Sequence, residues 1–216
     1  MEGEGTDSRD PWGRKRQLIE LYAQSLDTYD RRYRETQFEK FQHCVTPLRS
    51  RIEAVVDVGC GSGLLLEFLV DLWQEIPHPD GQDPGGVYVG LDLSRAMLRR
   101  GRTKIPPRRD SPRLVAGFVE ADGNFLPLRR ACTHRGFCFS LLQNLPDPVA
   151  FLREFARVLA PNPTAVVISE LKKKRPFPAF QRLVGAVFEQ GAFTNPPGSE
   201  DHFYLLPAVT SETESG

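Results

Sequence analysis

Three glycines at alternate positions follow a short apolar run that contains one carboxylate. The stretch reads AVVDVGCGSG, residues 54–63, in which Asp57 precedes Gly59, Gly61 and Gly63. Glycine adopts backbone conformations with positive φ and has no side chain, so it suits a tight bend that a ligand approaches closely. The spacing therefore predicts a ligand-binding loop directly after a buried strand.

A second carboxylate, Asp92, ends the next apolar run, VYVGLD. After a strand in a nucleotide-binding unit, an acid can accept hydrogen bonds from the ribose hydroxyls of an adenosine. The dinucleotide fingerprint is G-x-G-x-x-G, whereas this chain has G-x-G-x-G with Leu64 where the last glycine would fall. The pattern favours a ligand with an adenosine but no pyrophosphate, and it argues against an NAD-type oxidoreductase.

Two further polar segments follow the third and fourth apolar runs. EADGNFLPL, residues 120–128, places Asp122 and Gly123 where a carboxylate can accept from an adenine amine and an amide can donate to a ring nitrogen. SLLQNLPDP, residues 140–148, follows the fourth run, and we expect it to face the substrate.

Apolar runs of strand length alternate with helical patterns along most of the chain. The predicted strands are residues 54–58, 87–91, 114–119, 136–140, 165–169 and 203–206, and the predicted helices between them are residues 64–75, 94–102, 149–159 and 180–188. This alternation predicts an α/β fold, a doubly wound and mostly parallel sheet with helices on both faces. Ligands of such sheets bind beyond the carboxyl ends of the strands, which is where all four polar segments lie.

Composition narrows the class of protein further. The 28 basic and 28 acidic residues cancel, so no overall field favours nucleic acid or an anionic membrane. The four cysteines contain no C-x-x-C pair, which predicts buried, reduced thiols and no metal site. The N-terminal residues are polar, without the apolar stretch expected of a signal peptide, and no apolar run approaches the ~20 residues that cross a bilayer. We expect a cytoplasmic protein without membrane insertion.

The segments VVDVGCGSG, GLDLS, EADGNFLPL and LLQNLPDP, in this order, resemble the successive motifs of class I S-adenosylmethionine-dependent methyltransferases. The resemblance covers roughly residues 50–170 and is nearest to the branch that includes ubiquinone and menaquinone biosynthesis enzymes and uncharacterised archaeal and bacterial relatives. It implies a Rossmann-like fold, S-adenosyl-L-methionine (SAM) as cofactor, and methyl transfer (EC 2.1.1.-) to an undetermined acceptor.

The resemblance also implies which residues contact the methionine part of the cofactor. The loop of Gly59, Cys60, Gly61 and Gly63 would pack its backbone against the methionine. Asp57 would hold this loop and reach toward the methionine amino group through water. The carbonyl of Ser140 would accept a hydrogen bond from the same amine.

By the same resemblance, other residues contact the adenosine. Asp92 would bind the ribose hydroxyls through a charge-assisted, two-toothed contact, with Leu93 beside the adenine. Asp122 and Gly123 would recognise the adenine edge. Tyr29, in LDTYDRRY, would lie over the cofactor.

The sequence departs from the family pattern after the fourth strand. The family often has a histidine pair there, whereas this chain has Gln143 and Asn144. These two side chains either hydrogen-bond a substrate or cap the loop, and with Tyr29 they are the candidate catalytic residues. Beyond Ser169 one clear strand is predicted, so the last two strands of the family's seven-stranded sheet are expected to be short or incomplete.

The acceptor remains open between several classes of molecule. A small molecule such as a quinone precursor is favoured. The basic segment Lys172–Arg175 follows the fifth strand and is either solvated surface or a contact for the phosphates of an RNA substrate. A protein substrate is a further alternative, and so is a non-catalytic adaptor that binds cofactor without transferring a methyl group.

The segments also suggest how the chain is divided. Helical periodicity from Lys15 to Leu48, ended by Pro47, predicts a helical N-terminal extension that acts as a lid. The predicted units are a disordered tail over residues 1–13, the lid over 14–50, the methyltransferase domain over 51–208 and a second disordered tail over 209–216.

Overall fold

The described residues form a seven-stranded sheet that is parallel except at one edge. In the computed structural model, which describes residues 11–51, 54–75, 86–109, 111 and 114–207, the strands are β1 (Ala54–Val58), β2 (Gly86–Asp92), β3 (Leu114–Glu120), β4 (Arg135–Cys138), β5 (Ala165–Leu171), β6 (Ala192–Thr194) and β7 (Asp201–Leu206). Their order is β3-β2-β1-β4-β5-β7-β6. β7 is antiparallel to β5 and β6, and the other pairs are parallel. The predicted fold class is confirmed.

Helices connect the strands and extend the chain at its N-terminus. They are α1 (Pro11–Gln24), α2 (Leu26–Cys44), α3 (Leu64–Glu75), α4 (Arg95–Arg102), α5 (Pro148–Val158) and α6 (Phe177–Gly185), with 3-10 turns at Thr46–Arg51 and Leu142–Asn144. The side chain of Ser94 accepts from the Met97 amide and that of Asp147 from the Ala150 amide. These side chains satisfy amide groups that have no partner within the helix, which explains why α4 and α5 begin there.

The sheet is covered on both faces, and this explains the continuous apolar runs. Successive strand residues point to opposite faces, so Val55 belongs to the core beside α3 while Val56 belongs to the core beside α5 and α6. β5 is buried along six of its seven residues. A strand buried on both faces carries apolar side chains at successive rather than alternate positions, as β5 does from Ala165 to Ile168.

The last two strands are present, and one of them is short. β7 spans six residues, whereas β6 spans only Ala192–Thr194. The expectation of a shortened sheet edge is confirmed for β6. The sequence did not predict β6 itself, because three half-buried residues carry too little periodicity to stand out from a loop.

The lid region differs in detail from its prediction. The expected helical stretch from Lys15 to Leu48 is divided at Ser25 and ends as a 3-10 turn, and α1 begins at Pro11, within the predicted tail. Residues 1–10 and 209–216, which make up the rest of the predicted tails, lie outside the described residues. α2 packs on α3 through the rings of Phe38 and Phe41, whose centroids lie 5.4 and 5.5 Å from that of Phe68.

Candidate functional site

A cavity of about 270 Å³ lies at the carboxyl ends of β1, β2 and β4, under α1 and α2. The structure brings nearly all of the predicted site residues to its wall: Tyr29, Asp57, Gly59, Cys60, Gly61, Asp92, Leu93, Asp122, Gly123, Ser140, Gln143 and Asn144. Parallel strands end at the same edge of a sheet, so loops far apart in the chain converge there.

The glycine loop after β1 leaves open space on the cavity side. Gly59 and Gly61 have φ of +80° and +53°, a region that favours glycine. A Cβ on Gly59 would lie 3.1 Å from the Leu141 side chain, whereas a Cβ on Gly61 would have a single atom within 4 Å, the Tyr29 hydroxyl oxygen at 3.9 Å. The backbone at Gly61 therefore forms a cradle that a ligand can fill.

Gly63 does not contribute to this cavity, which corrects the prediction that it faces the ligand. Its φ is +75°, and a Cβ there would lie 3.1 Å from both the Gly101 Cα and the Phe118 ring. The third glycine instead allows the start of α3 to pack closely against α4 and β3.

Asp92 is anchored at the end of β2 by backbone amides. Its Oδ2 accepts from the Gly61 amide at 2.9 Å and its Oδ1 from the Ser94 amide at 2.8 Å. Burial raises the pKa of Asp92, and these amides oppose the rise. A carboxylate offers about four lone-pair sites, so each oxygen can still accept one ribose hydroxyl.

Asp57 lies deeper, at the end of β1. Its Oδ2 accepts from the Tyr88 hydroxyl at 2.6 Å, and its side chain is buried. Burial raises the pKa of Asp57 to about 7, while the Tyr88 hydrogen bond opposes that rise. Asp57 therefore changes its charge close to neutral pH.

Asp122 makes a contact that the sequence did not predict. The Nζ of Lys15, on α1, lies 2.5 Å from Asp122 Oδ2, and Asp122 Oδ1 accepts from the Asn124 amide at 3.0 Å. Lys15 thus ties the first lid helix to the loop after β3. Its partner lies 107 residues away in the chain, so no local pattern could have indicated the pair.

The loop after β4 is internally hydrogen-bonded. Gln143 Nε2 donates to the Ser140 carbonyl at 2.5 Å, and Asn144 Nδ2 donates to the Tyr22 hydroxyl at 3.1 Å. Gln143 Oε1 is buried and has no hydrogen-bond partner among the described residues. Gln143 itself is one of the residues that line the cavity.

Aromatic side chains of the lid form the opposite wall of the cavity. The ring of Tyr29 lies 6.0 Å from that of Tyr22 and 4.9 Å from that of Tyr33, and all three line the cavity. Burial raises the pKa of the Tyr29 hydroxyl, so this group stays protonated at neutral pH. Tyr29, which the resemblance predicts to lie over the cofactor, lines the cavity, and so does Tyr33, which was not predicted to line the site.

The predicted basic segment after β5 is largely engaged within the protein. Lys172 Nζ donates to the Pro196 carbonyl, and Arg175 Nε lies 2.6 Å from the buried Glu170 carboxylate. Lys173 lines the cavity. Two of the four basic side chains thus contribute to the packing of the β7 region.

Cys60 is the one cysteine among the described residues that line the cavity. Cys44, Cys60 and Cys138 are buried, whereas Cys132 is exposed, which corrects the prediction of four buried thiols. The residues that the structure describes contain no group of three His, Cys, Asp or Glu side chains able to hold a metal ion. None of the helices in the described part of the chain is long and apolar enough to cross a membrane.

The strand order, the glycine cradle and the acid at the end of β2 together define the class I SAM-dependent methyltransferases. Residues 56–167 match the family described as Methyltransferase domain. This match spans half of the chain, and the chain therefore belongs to that family. It is an S-adenosylmethionine-dependent methyltransferase whose cofactor is SAM.

Similar proteins are found among curated sequences and solved structures. The chain is 24% identical over 170 residues to the ubiquinone/menaquinone biosynthesis C-methyltransferase of Campylobacter jejuni, covering 75% of this chain and 67% of that one. The magnesium protoporphyrin IX methyltransferase of Synechocystis with bound SAM has a TM-score of 0.64 and 15% identity. The match covers 94% of this chain and 98% of that one. A methyltransferase in complex with the Trm112 methyltransferase activator of Haloferax volcanii has a TM-score of 0.56 and 18% identity. The match covers 82% of this chain and 77% of that one.

Proposed function

We propose that the methyl acceptor is a small, flat and largely apolar molecule that binds under the lid. In this proposal SAM lies along Gly59 and Gly61, with its ribose on Asp92 and its amino group near the Ser140 carbonyl. The observation that carries the proposal is the wall facing this loop, which consists mainly of apolar and aromatic lid side chains: Leu18, Ile19, Tyr22, Tyr29, Tyr33 and Phe41.

The lid also argues against an RNA acceptor. α1 is attached across the cavity mouth by Lys15 and by Arg14, whose Nη2 donates to the Gln143 carbonyl at 3.0 Å. An RNA chain would need a basic track leading to the methyl group, but Lys172 and Arg175 are occupied by contacts within the protein. A cavity bounded by the lid on one side and the sheet on the other suits a molecule that enters whole.

The acceptor is expected to bring its own nucleophilic atom. Methyl transfer is an in-line displacement, and much of the rate comes from holding the nucleophile and the methyl group in line. Gln143 and Asn144 cannot act as bases at neutral pH, and the raised pKa of Tyr29 keeps it protonated. A ring carbon of an electron-rich hydroquinone meets this requirement, and the Campylobacter relative is by name a C-methyltransferase of quinone biosynthesis.

Methyl transfer from SAM labelled in its methyl group tests this proposal. The purified protein is incubated with 1,4-dihydroxynaphthalene, with total tRNA or with cell protein, and each fraction is counted. We expect label in the naphthalene product. Tyr22→Ala, which alters the cavity wall, is expected to lower this rate, whereas Leu21→Ala, at an exposed neighbour on the same helix, is the matched control.

The other outcomes separate the alternatives. Label in tRNA or protein alone would replace the small-molecule proposal by a macromolecular acceptor. Saturable SAM binding with no label in any fraction, including a small-molecule extract of cells, would instead support a non-catalytic adaptor.

A second candidate property is assembly with a protein activator, and we propose the outer face of β2 and β3 as its docking surface. Val115, Val87 and Val119 are 60%, 42% and 38% exposed. Val87 pairs with Val115 in register, and Gly117 lies between Val115 and Val119 on the same face. The connection from β3 to β4, residues 121–134, carries no helix, so these valines continue the α5 and α6 face of the sheet without a cover.

The shape of this surface favours a partner that adds a strand. β3 is an edge strand in the described sheet, and such an edge presents unpaired amide and carbonyl groups. The area that the three exposed valines can bury is well below the ~800 Å² per partner of a standard interface. Backbone pairing along β3 would supply the rest of the contact. A similar methyltransferase was solved in complex with the Trm112 methyltransferase activator, and this supports an activator protein as the partner.

Co-expression with the Trm112 activator of Haloferax volcanii tests the docking surface. We expect the two chains to copurify by gel filtration, and Val115→Asp to abolish copurification because it places a charge in an apolar contact. Leu21→Asp, at an exposed leucine on α1, is the control. Copurification that survives Val115→Asp would contradict this surface, and self-association of the chain alone would indicate that a second copy covers it.

A further inference from the structure

A buried ion pair joins the lid to strand β7 beside the cavity. Lys40 lies on α2 and Asp201 begins β7, and the Lys40 Nζ is 2.9 Å from Asp201 Oδ1 with side chains that are 3% and 0% exposed. Burying two charges is costly, and such a pair contributes less to stability than its geometry suggests. Its presence next to a ligand cavity calls for an explanation other than stability.

Both members of the pair contact Ser140. Lys40 Nζ donates to the Ser140 Oγ at 3.1 Å, and that hydroxyl donates to Asp201 Oδ2 at 2.6 Å. The Ser140 amide donates to Ser169 Oγ at 3.0 Å, and Ser169 Oγ donates in turn to the same Asp201 oxygen at 2.7 Å. Together with the Gln143 contact to its carbonyl, Ser140 is held at its amide, its hydroxyl and its carbonyl.

This restraint coincides with an unusual backbone conformation. Ser140 has a φ of +51°, in the left-handed region that a residue with a side chain rarely adopts. Such conformations persist where the surroundings hold them in place, and they concentrate at ligand sites. Ser140 and Lys40 both line the cavity, so the strained residue faces the space assigned to the cofactor.

We propose that Lys40 and Asp201 are positioning residues for the amino-acid end of SAM. They hold Ser140 in its left-handed conformation, which presents the Ser140 carbonyl to the cofactor's amino group. This inference rests on the proposed cofactor position. Because Lys40 lies on α2, the affinity for the methionine part of SAM depends on α2 being packed in its observed position.

Two ligands separate this role from general support of the fold. SAM carries the amino-acid end, whereas 5′-methylthioadenosine carries the adenosine and sulfur without it. For Lys40→Met, calorimetry is expected to show SAM binding weakened by roughly 10-fold or more, with 5′-methylthioadenosine changed by less than about 2-fold.

A second variant keeps the test decisive if Lys40→Met does not fold. Ser140→Gly removes the hydroxyl contacts but accepts positive φ without strain. We expect it to stay folded and to lose SAM affinity selectively, as Lys40→Met does. If the serine only supported the fold, both ligands would lose affinity equally.

Arg34→Met is the matched control. Arg34 also lies on α2 and joins the lid to the body, through Glu67 at 2.7 Å, but it does not line the cavity. We expect it to leave the ratio of the two affinities unchanged. Equal losses for both ligands in Lys40→Met and Ser140→Gly, or no loss of SAM affinity, would overturn the positioning role. Failure of the wild type to bind SAM would overturn the cofactor position itself.

Discussion

Two carboxylates at the carboxyl ends of neighbouring strands, the half-buried Asp92 and the buried Asp57, differ in how their charge is stabilised. Asp92 receives two backbone amides, whereas Asp57 receives one tyrosine hydroxyl. Hydrogen bonds to the charged form favour ionisation, and burial opposes it. Asp57 is the more poorly compensated of the two, and its pKa rises to about 7. The charge of the site thus depends on Asp57 near neutral pH.

SAM affinity is therefore expected to increase with pH through this range. The bound sulfonium and amino group are cationic, so they favour ionised Asp57. An opposite charge nearby lowers a carboxyl pKa by roughly 1–3 units, which predicts a gain in affinity of roughly five- to tenfold from pH 6 to pH 8. Calorimetry at both pH values measures this gain. Asp57→Asn keeps all the other titrating groups of the protein and of SAM, so it should lack this gain in affinity. An equal gain in the variant would show that another group causes the pH dependence.

The same pKa shift makes a prediction for stability. When folding raises the pKa of a carboxyl group, that group stabilises the folded protein at any pH below its ordinary pKa of 3.8. This contribution is lost as the pH rises through about 7. Asp57→Asn carries no such dependence. The free energy of unfolding of Asp57→Asn, relative to the wild type, is expected to increase between pH 4 and pH 7 in urea titrations, and a constant difference would contradict the shift.

The sequence predicts site residues that lie at or just after the end of a strand. It does not predict most of the site residues that reach the cavity through the packing of the N-terminal helices. Asp92 ends β2 and Gly61 lies in the loop after β1, so the sheet topology places both in the site. Lys15, Lys40 and Tyr33 lie on helices of the lid, and their neighbours are set by how those helices dock. Gly63 shows the opposite limit, because its motif position suggested ligand contact while its actual neighbours are α4 and β3.

At the scale of elements, α4 packs closely against β3 through Gly101 and Phe118. Gly101 lies within α4, and a Cβ there would be only 2.6 Å from the Phe118 ring. Phe118 is itself buried, so its ring has little room to move aside. The α4 helix can approach the sheet this closely only with glycine at that position.

Gly101→Ala is accordingly expected to destabilise the protein, although alanine is the better helix former by about 1 kcal/mol. Overpacking a well-packed core costs about 1–3 kcal/mol, which outweighs that gain. Gly117→Ala is the control, because a Cβ at Gly117 in β3 would meet no atom within 4 Å. Urea unfolding of both variants tests the packing, and a stabilised Gly101→Ala would show that α4 can shift outward.

The central strands were predictable because each is an apolar run bounded by glycine or polar residues, and β1 has the predicted bounds, Ala54–Val58. The lid was less predictable. Its division at Ser25 has neither a glycine nor a proline at the break, so helical periodicity continued through it. The short strand β6 depends on pairing with β7, a tertiary contact that periodicity does not report.

For the whole molecule, the cavity between lid and sheet predicts that cofactor binding stabilises the fold. At a SAM concentration 100 times the dissociation constant, linkage contributes about 2.7 kcal/mol. A domain of this size shifts its melting midpoint by about 2–4 °C per kcal/mol, which predicts a rise of roughly 5–10 °C. Thermal unfolding monitored by circular dichroism measures the rise. NAD is the control ligand and is expected to have no effect, since the loop lacks the dinucleotide spacing; a larger rise with NAD would contradict the cofactor assignment.

The most direct test of the account is calorimetric titration of SAM into the wild type, Asp92→Ala and Glu120→Ala. Glu120 ends β3 as Asp92 ends β2, but it pairs with Arg95 at the surface and does not line the cavity. Saturable binding is predicted for the wild type and Glu120→Ala, with a loss of about 1.5–3 kcal/mol in Asp92→Ala from the missing charge-assisted contact. Equal affinity in Asp92→Ala, or no binding by the wild type at millimolar SAM, would contradict the central claim that Asp92 binds the cofactor's ribose.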